Sequence, residues 1–268
     1  MSGRIATTFA RLAAEGRAGF VPFIMAGDPD LGATRELLKA SADAGADLIE
    51  LGIPFSDPMA DGPVLQRSAE RALTAGTTLT SVLELVAEFR RDSAIPIVLF
   101  GYANPFLRYG AERLARDAAA SGADGVLCVD LPPEEADDLQ QATDAAGLDM
   151  IFLLAPTSDR ARIDRVRARA RGFVYYVSIT GTTGAAAPDP AAVATMVETV
   201  RARVGLPVGV GFGITNPDQA RAVARIADAV VVGSAVMRIV ETSPGAAFLP
   251  AARQFLRDLA AAVHTARG

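Results

Sequence analysis

Three carboxylates stand close together in the stretch ELGIPFSDPMADGP, which runs from Glu50 to Pro63 directly after an apolar run. Glu50 lies near the end of that run, where the alternation of a strand can turn it inward rather than to solvent. A partly buried glutamate has a raised pKa, which suits proton transfer. Asp61 follows in a loop with three prolines and either shares this chemistry or caps the helix that begins near Pro63.

Two scarce residue types narrow the chemistry further. The only lysine, Lys39, lies on a predicted outer helix, whereas a Schiff-base aldolase needs a lysine in its active site. The only histidine, His264, is four residues from the C-terminus, and a zinc or iron enzyme of this type would normally use histidine ligands. We therefore expect no metal site and favour acid–base chemistry by carboxylates. If a carbon–carbon bond is cleaved, the substrate itself must accept the electrons.

Glycine-rich stretches follow three of the later apolar runs and could bind a phosphate group. Backbone N–H groups at such turns and at helix N-termini bind phosphate without a lysine. Gly211, Gly213, Gly233 and Ser234 stand in these places, with Gly184 from the preceding loop as an addition. The alternative is that they are ordinary turn glycines.

The elements that must position these residues alternate between strand and helix. Four copies of a similar phrase, such as DAGADLIELG from Asp43, indicate a helix end followed by a buried parallel strand. Eight such units in this length predict a single (β/α)₈ barrel domain over residues 1–268, with an N-terminal helix and an extra helix after the second strand. The eight strands are expected near residues 20–26, 46–52, 95–100, 124–129, 148–154, 172–177, 207–210 and 227–232.

Composition excludes several classes of function. The formal net charge of −5 and the scattered arginines argue against nucleic acid as a partner. No apolar run reaches membrane-spanning length and no signal-like segment opens the chain, so we expect a cytoplasmic protein without membrane contact. The single cysteine, Cys128, lies in an apolar run and is expected to be a buried, inert thiol.

Taken together, the stretches FVPFIMAGDPD, ELGIPFSDPMADGP, VSITGTTGA and GFGI resemble the family of tryptophan synthase α subunits through nearly the whole chain. The resemblance implies retro-aldol cleavage of indole-3-glycerol phosphate to indole and glyceraldehyde 3-phosphate, without a cofactor in this chain. It also implies a partner, the β subunit, which contains pyridoxal phosphate and receives the indole in an α₂β₂ heterotetramer.

The same resemblance assigns roles to particular residues. Glu50 matches the glutamate that handles the proton at indole C3 and assists at the glycerol hydroxyl, and Asp61 matches the aspartate that accepts the indole N–H proton. The implied substrate-binding residues are Phe23, Phe100, Leu127, Tyr175, Thr183, Gly184, Phe212, Gly213, Gly233 and Ser234. The first four surround the indole ring, although each could instead be plain barrel core. Thr183 matches a threonine that hydrogen-bonds the aspartate when the site closes.

The proline-rich loop, the stretch YANPF from Tyr102 and the stretch DLPPEE from Asp130 are implied to face the partner. Thr182 stands where the family commonly has valine, and Met25 and Phe100 also differ from the commonest residues. Three alternatives remain: a stand-alone lyase that releases free indole, a subunit that only regulates its partner, and another phosphate-binding barrel such as a sugar-phosphate isomerase.

Overall fold

The strands of this protein form a closed parallel barrel. A computed structural model describes residues 3–177, 190–211, 213–243 and 245–267. Each strand pairs with the next one in the chain, and the first pairs with the last, which confirms the predicted (β/α)₈ barrel. The strands are β1 (Gly19–Met25), β2 (Ile49–Gly52), β3 (Ile97–Gly101), β4 (Gly125–Cys128), β5 (Asp149–Leu154), β6 (Val174–Val177), β7 (Val208–Gly211) and β8 (Ala229–Val232).

Helices surround the barrel, and the described residues contain twelve of them. They are α1 (Arg4–Ala14), α2 (Leu31–Ala44), α3 (Pro63–Thr74), α4 (Leu79–Phe89), α5 (Ala103–Tyr109), α6 (Ala111–Ser121), α7 (Asp137–Ala146), α8 (Arg160–Arg169), α9 (Pro190–Val204), α10 (Pro217–Ala224), α11 (Ser234–Thr242) and α12 (Phe248–His264). The N-terminal helix α1 and the extra helix between β2 and β3 were both predicted. None of the helices in the described ranges is long and apolar enough to cross a membrane.

Local sequence signals explain where several helices end and strands begin. Gly45, Gly122 and Gly147 close α2, α6 and α7 with φ angles of 94°, 87° and 73°, which a residue without a side chain adopts most easily. The strand predicted from residue 46 begins only at Ile49, because the Ala46 N–H still bonds to the Ser41 carbonyl and completes the end of α2.

The core lies inside the barrel and between the barrel and its helices. Every residue of β1, β2, β3 and β4 is buried, as expected for strands covered on both faces. The register aligns Phe23 of β1 with Glu50 of β2, and Glu50 with Val98 of β3. The carboxyl ends of all strands therefore meet at one face of the barrel, which is where barrel enzymes place their active sites.

Candidate active site

A cavity at the carboxyl ends of the strands brings most of the predicted site residues together. Eight of them line it: Phe23, Glu50, Asp61, Phe100, Tyr175, Gly213, Gly233 and Ser234. Leu127 lies on β4 beside Phe100, fully buried, and is not among the lining residues. Thr183, Gly184 and Phe212, like Thr182, lie outside the described residues.

Glu50 is completely buried, where the sequence predicted partial burial. Neither carboxylate oxygen has a hydrogen-bond partner among the described residues. Because water is excluded and nothing compensates the charge, burial raises the pKa of Glu50 to about 8. At neutral pH this side chain is mainly a neutral acid that can donate a proton into the cavity. Its catalytic role remains a prediction.

Asp61 does not cap the helix that follows it. Gly62 occupies the N-cap position of α3, and the helix has no side-chain cap hydrogen bond from the described residues. Burial raises the pKa of Asp61 to about 6, although a hydrogen bond with the Tyr102 hydroxyl lowers it in part. The same hydroxyl oxygen accepts a hydrogen bond from the Ala60 N–H at 3.1 Å. Asp61 is therefore ionised at neutral pH and held to the end of β3.

Aromatic rings form the apolar wall of the cavity. Phe23 and Phe100 pack edge to face, with ring centroids 5.1 Å apart and planes at 80°. Gly52 leaves room for this arrangement, since a Cβ atom there would lie 2.5 Å from Cζ of Phe23. A Cβ atom on Gly211 would likewise lie 2.0 Å from the Tyr175 hydroxyl oxygen. These glycines leave room for the aromatic side chains beside Glu50.

Another part of the cavity lining is suited to an anion. Gly213 follows β7 with a φ of 75°, and Gly233 is the N-cap residue of α11, with Ser234 as its first residue. A helix N-terminus presents unpaired N–H groups and the positive end of the helix dipole. Gly213, Gly233 and Ser234 thus line the same cavity as the two carboxylates, whereas Gly211, the last residue of β7, is not among the lining residues.

Comparison with known proteins decides which family has this arrangement. The family profile described as "Tryptophan synthase alpha chain" matches residues 9–264. The chain belongs to the tryptophan synthase alpha chain family. A relative of that name from Geobacter sulfurreducens is 57% identical over 238 residues, 89% of this chain and 90% of the relative. Another, from Leptothrix cholodnii, is 51% identical over 99% of this chain and 98% of the relative.

Solved structures agree with the family assignment. The tryptophan synthase subunit alpha of Legionella pneumophila superimposes with a TM-score of 0.92 at 38% identity, covering 98% of this chain and 99% of that one. A chain from the structure of Mycobacterium tuberculosis tryptophan synthase gives a TM-score of 0.90 at 37% identity, with 98% and 99% covered. The resemblance found in the sequence is therefore confirmed. Membership of this family also makes the chain an enzyme.

The residues that were set aside on sequence grounds are not among those that line the cavity. Lys39 is exposed on α2. The Nε2 atom of His264 lies 2.9 Å from Oδ2 of Asp47, a residue that precedes β2 and so belongs to the other end of the barrel. Cys128 is buried at the end of β4, and burial raises the pKa of its thiol well above the ordinary value. The thiol is therefore poorly suited to act as a nucleophile.

The structure adds lining residues that sequence reasoning missed: Gly62, Leu65, Ile214, Thr215, Val231 and Arg238. Spacing could have indicated some of them. Arg238 comes four residues after Ser234 on α11, and residues four apart share a helix face. Val231 comes two residues before Gly233, and alternate residues of a strand share a face. Tyr102 was expected only at the partner surface, and its hydrogen bond with Asp61 was missed because the two residues lie far apart in the sequence.

Proposed function

We propose that this chain is a carbon–carbon lyase that cleaves indole-3-glycerol phosphate to indole and glyceraldehyde 3-phosphate, the alpha-chain reaction of tryptophan synthesis. One observation supports this most directly. Two buried carboxyl groups, Glu50 and Asp61, line one cavity, with pKa values raised to about 8 and about 6. At pH 7 one is therefore mainly protonated and the other mainly ionised, as an acid and base pair requires.

The proposed reaction assigns a separate role to each group. Glu50 donates its proton to C3 of the indole ring, and the ionised Asp61 stabilises the positive charge that develops at the ring N–H. The resulting Glu50 carboxylate accepts the proton of the adjacent glycerol hydroxyl as the bond to C3 breaks. The bond electrons return to the ring, indole leaves, and the hydroxyl carbon becomes the aldehyde of glyceraldehyde 3-phosphate. The protonated indole ring accepts the electrons, so this chain needs no cofactor for the step.

The remaining walls suit the rest of the substrate. The edge-to-face pair of Phe23 and Phe100 offers an apolar surface to the indole ring, which gains from burial against aromatic side chains. The N-terminus of α11 and the turn at Gly213 receive the phosphate through backbone N–H groups. A substrate with an aromatic ring at one end and a phosphate at the other fits this polarity.

We further propose that the chain works with the tryptophan synthase β subunit, which carries the pyridoxal phosphate, in an α₂β₂ assembly. Three segments at the active-site end support a partner surface. Met59 in the proline-rich loop is 79% exposed and Leu107 on α5 is 52% exposed. The rings of Phe55 and Tyr102 pack at 5.5 Å and join these two segments. Asp130 accepts a hydrogen bond of 2.7 Å from the Ala103 N–H, which adds the third segment.

The test is steady-state cleavage of indole-3-glycerol phosphate by the purified chain, alone and with a β subunit from a related bacterium. We expect slow turnover that rises at least tenfold with the partner, which corresponds to about 1.4 kcal/mol of barrier. Fast turnover without a partner would instead support a stand-alone lyase. No turnover in either case would contradict the lyase proposal and leave a regulatory subunit or a different phosphate-binding barrel.

A further inference from the structure

Arg238 stands at the anion-binding wall of the cavity. It lines the cavity together with Gly213, Gly233 and Ser234. Among the described residues that line the cavity, Arg238 is the only one with a positive charge. Residues 178–189, which follow β6 in the sequence, include no lysine or arginine. Any full positive charge that the side chains of these segments offer a phosphate therefore comes from Arg238.

The charge of Arg238 is not already neutralised. The side chain is exposed and makes no hydrogen bond or ion pair with the described residues. The acid one turn further along α11 is Glu241, which would be the natural partner at this spacing. Its carboxylate is instead held by two arginines of α3: Arg67 at 2.5 and 3.1 Å, and Arg71 at 3.4 Å. Glu241 is thus engaged elsewhere, and Arg238 remains available to a ligand.

We propose that Arg238 is a substrate-binding residue that supplies the charge recognising the phosphate dianion. This inference rests on the proposed function and deepens it. The N-terminus of a helix carries only about half an elementary charge, so N–H groups alone leave most of a dianion unbalanced. A guanidinium offers paired N–H donors that match two phosphate oxygens. Arg238 therefore makes the site select phosphorylated ligands over neutral ones, while the aromatic wall binds the indole part independently.

The test measures binding of the two products separately by calorimetry. Glyceraldehyde 3-phosphate reports on the anion wall, and indole reports on the aromatic wall. We compare the wild-type chain with Arg238→Gln and Arg238→Lys. The matched control is Arg257→Gln, which removes an exposed arginine of α12 that likewise has no ion pair with described residues.

We expect Arg238→Gln to bind glyceraldehyde 3-phosphate about tenfold more weakly and indole unchanged, and Arg238→Lys to lose less affinity than Arg238→Gln, because lysine keeps the charge but not the paired donors. The salt dependence of glyceraldehyde 3-phosphate binding should also weaken in Arg238→Gln. In cleavage, KM for indole-3-glycerol phosphate should rise while kcat changes little, as for an interaction made equally in the ground and transition states.

Three results would overturn the proposal: wild-type affinity of Arg238→Gln for glyceraldehyde 3-phosphate, an equal loss for indole, or the same loss in Arg257→Gln. These results are separable from failure of the proposed function. If the wild-type chain binds both products but cleaves no substrate, the lyase proposal fails while the role of Arg238 in phosphate binding stands or falls on the binding data. If the wild-type chain binds neither product, both proposals fail.

Discussion

Glu50 and Asp61 share one cavity but differ in their hydrogen-bond partners. Glu50 has none among the described residues, so burial acts on its pKa without opposition. Asp61 is also buried, but the Tyr102 hydroxyl stabilises its charged form. The more complete burial of Glu50, the lower ordinary pKa of an aspartate and the hydrogen bond from Tyr102 together separate the two protonation states around neutral pH. This separation allows the same type of side chain to serve once as an acid and once as a base.

We predict a bell-shaped dependence of kcat/KM on pH, with limbs near pH 6 and pH 8. Below pH 6 Asp61 becomes protonated and no longer stabilises the indole N–H. Above pH 8 Glu50 loses the proton that it must donate.

Glu50→Gln should reduce kcat by about 10²- to 10⁴-fold at pH 7, the usual range for general acid–base catalysis. Initial rates from pH 5 to pH 9 measure both effects.

The Glu50→Gln substitution should also change how the folding stability depends on pH. The pKa of Glu50 is raised in the folded chain, so ionisation opposes folding as pH rises from about 4.5 to about 8. The variant should therefore gain stability relative to wild type between pH 5 and pH 8 and still bind glyceraldehyde 3-phosphate. Near-normal turnover of a folded Glu50→Gln variant would mean that another group donates the proton.

The sequence could predict the chemistry of single residues better than their partners. Glu50 was predictable because a carboxylate inside an apolar strand has few alternatives. The choice between a helix cap and a cavity position for Asp61 was not, because it depends on Tyr102, about forty residues away along the chain. Arg238 was missed for a related reason, since an arginine on an amphipathic helix most often faces solvent.

At the scale of elements, several hydrogen bonds hold the loop at residues 53–62 near its C-terminal end. The Asp61 N–H bonds to the Pro58 carbonyl at 3.2 Å, and the Asp61 carbonyl accepts from Gln66 Nε2 at 2.9 Å. Tyr102, at the start of α5, then ties the loop to the end of β3. Prolines at 54 and 58 further reduce the conformations open to the unfolded loop. The carboxylate is thereby positioned before a substrate arrives.

We predict that Tyr102→Phe shifts the acid limb of kcat/KM to higher pH. Its hydroxyl lowers the pKa of Asp61, so its removal lets that pKa rise further above the ordinary value. The Ala60 N–H also loses its acceptor, which should loosen the loop and lower kcat severalfold. The matched control is Tyr109→Phe, whose hydroxyl bonds Asp117 at 2.8 Å outside the cavity. An unchanged acid limb in Tyr102→Phe would show that the hydroxyl does not tune Asp61.

The order of the elements was predictable, while the short helices were not. Repeated helix-end glycines and apolar runs predicted all eight strands, because both signals are local. Helix α11 directly follows β8 and precedes α12, and its pattern alone does not show where one helix stops. Helix α5, with seven residues, is too short for a clear period of 3.6. These two helices nevertheless carry Arg238 and part of the proposed partner surface.

At the scale of the whole molecule, Asp47 joins the two ends of the chain beneath the barrel. Its buried carboxylate accepts hydrogen bonds from Arg11 of α1 at 2.8 Å and from Arg17 at 3.0 Å. It also accepts from the Phe20 N–H of β1 at 3.0 Å and contacts His264 of α12 at 2.9 Å. Burial alone would raise the pKa of Asp47, but these partners together lower it well below its ordinary value. One carboxylate thus links the first helix, the first strand and the last helix, at the end of the barrel opposite the cavity.

We predict that Asp47→Asn destabilises the fold by about 2 to 4 kcal/mol at pH 7, because it leaves positive groups around a buried site without their counterion. Since the pKa of Asp47 is lowered in the folded chain, its contribution is present above the unfolded value of 3.8 and is lost as pH falls below it. The difference between wild type and variant in the free energy of unfolding, measured with urea, should therefore be largest near neutral pH and shrink towards pH 3.

Asp218→Asn, which changes a carboxylate that is 94% exposed, serves as the control and should change stability by less than about 0.5 kcal/mol. Because Asp47 lies at the far end of the barrel, folded Asp47→Asn should keep wild-type KM for indole-3-glycerol phosphate. An equal effect of the two substitutions on unfolding would show that the link between the chain ends contributes little to the stability of the barrel.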